Sequence, residues 1–159
     1  MNRGAFDGAF AFVVGIEGKE TDDPNDPGGY TKFGIAQNKH PDIDVRSMTL
    51  DDAQAFYRRT YWNPMQCDAM HPTIGTLLFD SAVNQGVSGA TKIIQRALKI
   101  TVDGALGPMT LRAINAQQPS ELACRFLAVR SVDYTHDEGF ARNGEGWLYR
   151  CFRLARAFP

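Results

Sequence analysis

The stretch Glu17–Ile35, EGKETDDPNDPGGYTKFGI, decides how this chain is read. It opens on a glutamate that ends an apolar run, and Glu20, Asp22, Asp23 and Asp26 follow within nine positions. Pro24, Pro27, Gly28 and Gly29 are turn formers, whereas Tyr30, Thr31, Phe33 and Ile35 suit a strand. The pattern predicts a helix, a polar loop and then a short strand or hairpin. A carboxyl group on the helix would face carboxylates on a stiff turn. Glycosidic cleavage asks for that arrangement, one acid protonated and one ionised.

Upstream, Phe6, Ala9, Phe10, Val13, Val14 and Glu17 recur at helical spacing. Glu17 sits at the edge of that core stripe, where partial desolvation favours its protonated form. The plainer reading of one glutamate ending a helix is a solvated surface charge. Downstream, Thr49 resembles an N-cap before Leu50-Asp51-Asp52, opening a helix to about Tyr61 with Ala53, Phe56, Tyr57 and Tyr61 inward. The most hydrophobic helix is expected over Ile74–Gln85, where Asp80 and Asn84 lie four apart and share a face. Polar groups there must be solvated in a cleft or held in a hydrogen-bonded network. Gly86 stops this helix, and Ser88 starts another that carries Ile93, Ile94, Ala97 and Leu98.

Thr101–Pro108 is a second turn-rich stretch, with Pro108 suited to the first turn of a helix. Ser120 is expected to cap a long helix whose core side holds Leu122, Ala123, Phe126, Leu127, Val129 and Val132. A last helix over Glu145–Ala157 packs Trp147, Leu148, Phe152 and Leu154. The fold class is therefore mainly α, a helical bundle with a small β-hairpin next to the helix that bears Glu17.

With 159 residues, 17 basic against 18 acidic, the chain suits a single globular domain or two tightly joined halves. A domain of this size buries roughly 70% of its unfolded surface and needs no staple. Cys67, Cys124 and Cys151 are scattered and read as reduced core thiols. The apolar run Ala9–Ile16 is far short of the roughly 20 residues that cross a bilayer. A lone Arg3 without a small-residue cleavage site gives no secretory signal, so storage in the cytoplasm is expected.

His40, His71 and His136 share no metal-ligand spacing, no metal or other cofactor is expected, and no cysteine has a local nucleophile signature. There is no GxSxG elbow and no P-loop, and the charge balance does not suit nucleic acid. Arg125, Arg130, Arg142, Arg150, Arg153 and Arg156 concentrate toward the end. They are read as a solvated face first, and second as a basic surface for an anionic wall polymer.

The segments Glu17-Gly18, Asp23–Gly29 and Thr31–Ile35 resemble the signature of glycoside hydrolase family 108, peptidoglycan muramidases that are often phage endolysins. The likeness continues through Phe56-Tyr57, Tyr61-Trp62 and Leu78–Gly86. Asp103–Pro108 and Gly146-Trp147 resemble the family's C-terminal half, which is named as peptidoglycan-binding. Lys19 stands where the family usually has glycine, and Tyr30 where an acidic residue is common.

The resemblance implies one lysozyme-like domain over 1–159, with a catalytic half (1–90) and a helical C-terminal half (91–159). It also implies cleavage of the β-1,4 bond between N-acetylmuramic acid and N-acetylglucosamine. Glu17 is then the catalytic acid. Asp26 and Thr31 match the order seen in many phage lysozymes, with Asp22 and Asp23 as rival second carboxylates. Tyr30, Phe33, Asp80 and Asn84 are the expected sugar contacts. Glycan strands are the implied partner, with a holin or other membrane permeabiliser giving access to them, and a monomer is expected. A lytic transglycosylase and a non-cutting wall-binding module centred on Asp103-Gly104 are the alternatives.

Overall fold

The structure is a computed structural model describing residues 3–17, 20–22 and 29–158, and for Arg3, Ile16 and Glu17 the backbone alone. The chain divides into two units, Asn2–Thr60 and Tyr61–Pro159.

In the first unit, helix α1 (Arg3–Glu17) buries Phe6, Ala9, Phe10, Val13 and Val14 on the stripe their spacing predicts. Phe10 meets the ring of Tyr57 edge-on at 5.5 Å. Tyr57 belongs to α2 (Leu50–Tyr57), which begins as expected at Thr49. The Thr49 side chain accepts from the Asp52 backbone N–H, and the Asp52 carboxylate accepts from the Thr49 N–H. Reciprocal capping of this kind satisfies two otherwise orphaned donors. The helix runs on through a π-helical turn, Arg58–Trp62, before Asn63-Pro64 ends it. Strands β1 (Thr31–Lys32) and β2 (Ile35–Ala36) form an antiparallel pair.

The second unit is helical: α3 (Pro72–Leu98), α4 (Pro108–Asn115), α5 (Pro119–Thr135) and α6 (Phe140–Ala157). Within α3, Gly86 takes φ 76° and ψ 159°, so the element is two helices joined at the glycine where the sequence signals a stop. The expected halves 1–90 and 91–159 do not coincide with the two units, since α3 continues through residue 90. The core holds Leu77, Leu78, Phe79, Ile93, Ile94, Leu122, Phe126 and Leu154. Each such side chain, fully buried, contributes about 1.5–3 kcal/mol. Trp62 is also buried, its ring 5.5 Å from that of Phe79, so it packs in the core.

Four expected placements fail here. Gln118, not Ser120, caps α5: with Pro119 at the first helical position, its side-chain oxygen accepts from the backbone N–H of Ser120 and Glu121. Val132 is 58% and Phe152 73% exposed, because each lies on the side of its helix turned from the core. Cys67 and Cys151 are buried thiols, whereas Cys124 is exposed.

Candidate functional site

The β1–β2 hairpin closes on two residues, Phe33 and Gly34, with φ of 52° and 75°. Positive φ at both positions is the type I′ geometry, whose twist matches that of the paired strands. Glycine adopts it without strain, but a phenylalanine there costs on the order of 1 kcal/mol or more. The Tyr57 hydroxyl donates to the Phe33 carbonyl at 2.9 Å, fixing the strained turn to α2. On the far side, Thr21 and Thr31 exchange both backbone hydrogen bonds at 2.9 Å. The acidic stretch between them therefore leaves and re-enters at one closed backbone pair.

Around that closure the polar side chains are committed. The Tyr30 hydroxyl donates to Glu20, and that bond, helped by burial, raises the Tyr30 pKa above its ordinary value. The Arg46 guanidinium lies 4.1 Å over the Tyr30 ring and pairs with Asp22 at 2.9 Å. Asp22, a rival second carboxylate, is thus held by an arginine. The Thr31 hydroxyl donates to the Gly29 carbonyl at 3.3 Å, and the half-buried Phe33 ring has the Lys32 ammonium 5.6 Å from its centre. The side chain of Glu17, and all of Asp23 and Asp26, lie outside the described residues. The hairpin gathers Tyr30, Thr31 and Phe33, with α1 ending at Glu17 in the same unit.

Asp80 and Asn84 belong to the other unit. The Asp80 side chain is 0% exposed, its Oδ2 2.6 Å from Arg130 Nη1 and its Oδ1 2.8 Å from Arg150 Nε. Burial opposes the Arg130 charge, but the nearby Asp80, Tyr134 and Cys151 outweigh it and raise its pKa. Of the two arrangements open to Asp80 from sequence, it occupies the closed network. The Arg130 Nε then donates to Gln85 Oε1 at 2.9 Å, which also accepts from Ser81 at 2.9 Å.

Asn84 is exposed and donates to the Asp80 backbone carbonyl at 2.8 Å. It lines a polar pocket of 110 Å³ with Gln85, Asp133, Tyr134, Asp137 and Trp147. The helix spacing that puts Asp80 and Asn84 on one face does not give them one environment. Asp80 points between helices, whereas Asn84 reaches the surface one turn nearer the Gly86 break.

The Asp103-Gly104 turn is tied inward. Gln95, 1% exposed, donates to Asp103 at 2.7 Å and accepts from the Asp103 and Gly104 backbone N–H groups at 3.1 and 2.9 Å. Gly104 has φ 76°, and a Cβ there would come within 2.7 Å of Ser88 Oγ. These contacts make the turn a packed joint.

Sequence reasoning missed Tyr57 as the hairpin's anchor, Arg46 as the partner of Asp22, and Arg130 and Arg150 as partners of Asp80. A signal existed for the last pair: a carboxylate in an apolar helix requires a cation, and the arginine-rich end supplies two. Nothing local in the sequence ties Arg46 to Asp22.

Residues 10–86 match the family model described as Glycosyl hydrolase 108. The stretch takes in Glu17, Asp26, Thr31, Asp80 and Asn84 and stops at the Gly86 break. The solved structure of SagA from Brucella abortus is similar over 98% of this chain and 94% of that chain, at 27% identity and a TM-score of 0.86. Among curated proteins nothing matches. The mainly helical, lysozyme-like fold expected from the sequence is the fold observed.

Proposed function

We propose that this chain, a glycoside hydrolase carrying the glycosyl hydrolase 108 domain over residues 10–86, is an N-acetylmuramidase that hydrolyses peptidoglycan. The coarse reading, a lysozyme-like hydrolase of peptidoglycan, is supported by the family match and the fold. The finer one is supported by a single observation: the Thr21–Thr31 backbone pair, at the foot of the pinned hairpin, joins the two ends of the acidic stretch in the unit where α1 ends at Glu17.

Glu17 protonates the glycosidic oxygen as its bond to the muramic C1 breaks. The proton leaves on the N-acetylglucosamine hydroxyl, and positive charge spreads over C1 and the ring oxygen. Asp26 faces that charge, and Thr31 with it orients the attacking water. Water adds its oxygen to C1 and its proton returns to a carboxylate, so the product has a muramic reducing end. A general acid must hold its proton, and the C-terminal end of a helix, where Glu17 stands, disfavours a negative charge.

Half-buried Phe33 on the hairpin and exposed Asn84 on α3 are the sugar contacts in this reading; Tyr30 is buried, and Asp80 is engaged by Arg130 and Arg150. The glycan strand is the partner, and a membrane permeabiliser such as a holin brings enzyme and wall together, as in an endolysin. The engagement of Gln95 by Asp103-Gly104 speaks against a binding module centred on that turn.

The test is digestion of purified peptidoglycan, with mass spectrometry of the new ends. Reducing muramic ends are expected. Anhydromuramic ends would make the protein a lytic transglycosylase, and wall binding without cleavage would make it a binding module.

A further inference from the structure

On α6, Arg142, Glu145, Tyr149, Phe152, Arg153 and Arg156 are all exposed. At 3.6 residues per turn they fall within an arc of about 100°. Tyr149 is 64% and Phe152 73% exposed, so the arc presents two large aromatic rings to solvent. The opposite side of the helix buries Cys151 and Leu154, and the Arg150 side chain turns in to Asp80. The arc is therefore not needed by the core. Three arginines against one glutamate make it cationic, and the turns from Tyr149 to Arg156 hold no acidic residue on it.

We propose that this arc is a docking surface for an anionic phospholipid bilayer. A membrane interface takes both components at once: aromatic rings seat at headgroup depth, while arginine heads stay with the lipid phosphates. A soluble phosphate polymer would use the arginines but gives Phe152 no apolar surface to enter. The mode is surface binding, since among the described residues no helix is long and apolar enough to cross a membrane. The surface is independent of the hydrolytic reading and would hold an enzyme of the wall at the leaflet facing it.

The test is co-sedimentation of the full chain with phosphatidylcholine vesicles containing a quarter phosphatidylglycerol, beside pure phosphatidylcholine vesicles. Binding to the anionic vesicles is expected to exceed that to neutral ones by about tenfold or more, and to weaken as salt rises. A Tyr149→Ser/Phe152→Ser variant and an Arg142→Gln/Arg156→Gln variant should each lose about tenfold, with circular dichroism unchanged. Absence of binding to anionic vesicles would overturn the proposal, and so would binding that neither variant alters. Equal retention by heparin and by vesicles, lost only in the arginine variant, would reassign the arc to a polyanion. Concentration-dependent dimerisation that the aromatic variant abolishes, without vesicle binding, would assign it to a second copy.

Discussion

The two units hold their polar groups in opposite ways. In Asn2–Thr60 the links are single pairs, two of them exposed, Thr49 with Asp52 and Arg46 with Asp22, and one part-buried, Tyr30 with Glu20. In Tyr61–Pro159 the central ionic group is sealed, Asp80 between Arg130 and Arg150, with contacts 50 and 70 residues away in sequence. Surface links of the first kind contribute little each and shape a loop, whereas a buried cluster fixes which helices can meet. The difference puts adaptable chemistry on the unit with the acidic loop and rigid specification on the helical one. Backbone strain does not follow this division: Phe33 takes a positive φ at the hairpin tip, and Gln66 and Lys99 do so in the helical unit.

The contrast predicts unequal costs. Asp80→Ala leaves two buried guanidinium groups without their carboxylate and should destabilise by roughly 3–5 kcal/mol in urea unfolding. An Asp80→Leu/Arg130→Met/Arg150→Met triple variant, which removes the three desolvated charges together, should recover much of that loss. If Asp80→Ala instead costs no more than breaking the exposed Arg46–Asp22 pair, the sealed cluster does not specify which helices meet.

Tyr57→Phe removes the donor to the Phe33 carbonyl and should cost about 1–2 kcal/mol. Its activity on peptidoglycan should fall further than that stability loss explains, because the hairpin tip is no longer pinned. Phe33→Asn works the other way. Asparagine tolerates positive φ, so relief of about 1 kcal/mol of strain offsets the lost apolar contact and stability changes little. Wall cleavage should nevertheless drop; unchanged activity would remove Phe33 from the site.

The smallest effects lie at the ends of the pH scale. The Tyr30 pKa is raised above 10.0, so its contribution is complete below that value and is lost as pH rises through the folded value. Asp103 is held below 3.8 by the Ala105 backbone N–H and then by Gln95, so its contribution is present above 3.8 and is lost as pH falls. The stability gap between wild type and Tyr30→Phe should close on the alkaline side, and that for Asp103→Asn on the acid side.

Much of this was legible in advance, for physical reasons. The α1 stripe, the Thr49 cap, the Gly86 stop and the Pro108 start all depend on residues within a turn or two of one another. The hairpin was foreseen as an element, but its turn was not, since Phe33-Gly34 is an unusual pair for type I′ geometry. The inward turn of Asp80, Arg130 and Arg150 was hidden because it joins three helices across long sequence separations. Helical spacing says which residues share a face, not how far each side chain stands from water. The same limit misplaced Val132 and Phe152, whose helices had enough other apolar residues to fill the core.

The central claim is that the carboxyl group of Glu17 is the acid of a glycoside hydrolase. Wild type and Glu17→Gln should be incubated with purified peptidoglycan and release of reducing ends followed, with folding checked by circular dichroism. The account predicts folded Glu17→Gln with cleavage reduced roughly 10²–10⁴-fold. A folded variant that cuts as fast as wild type would contradict it.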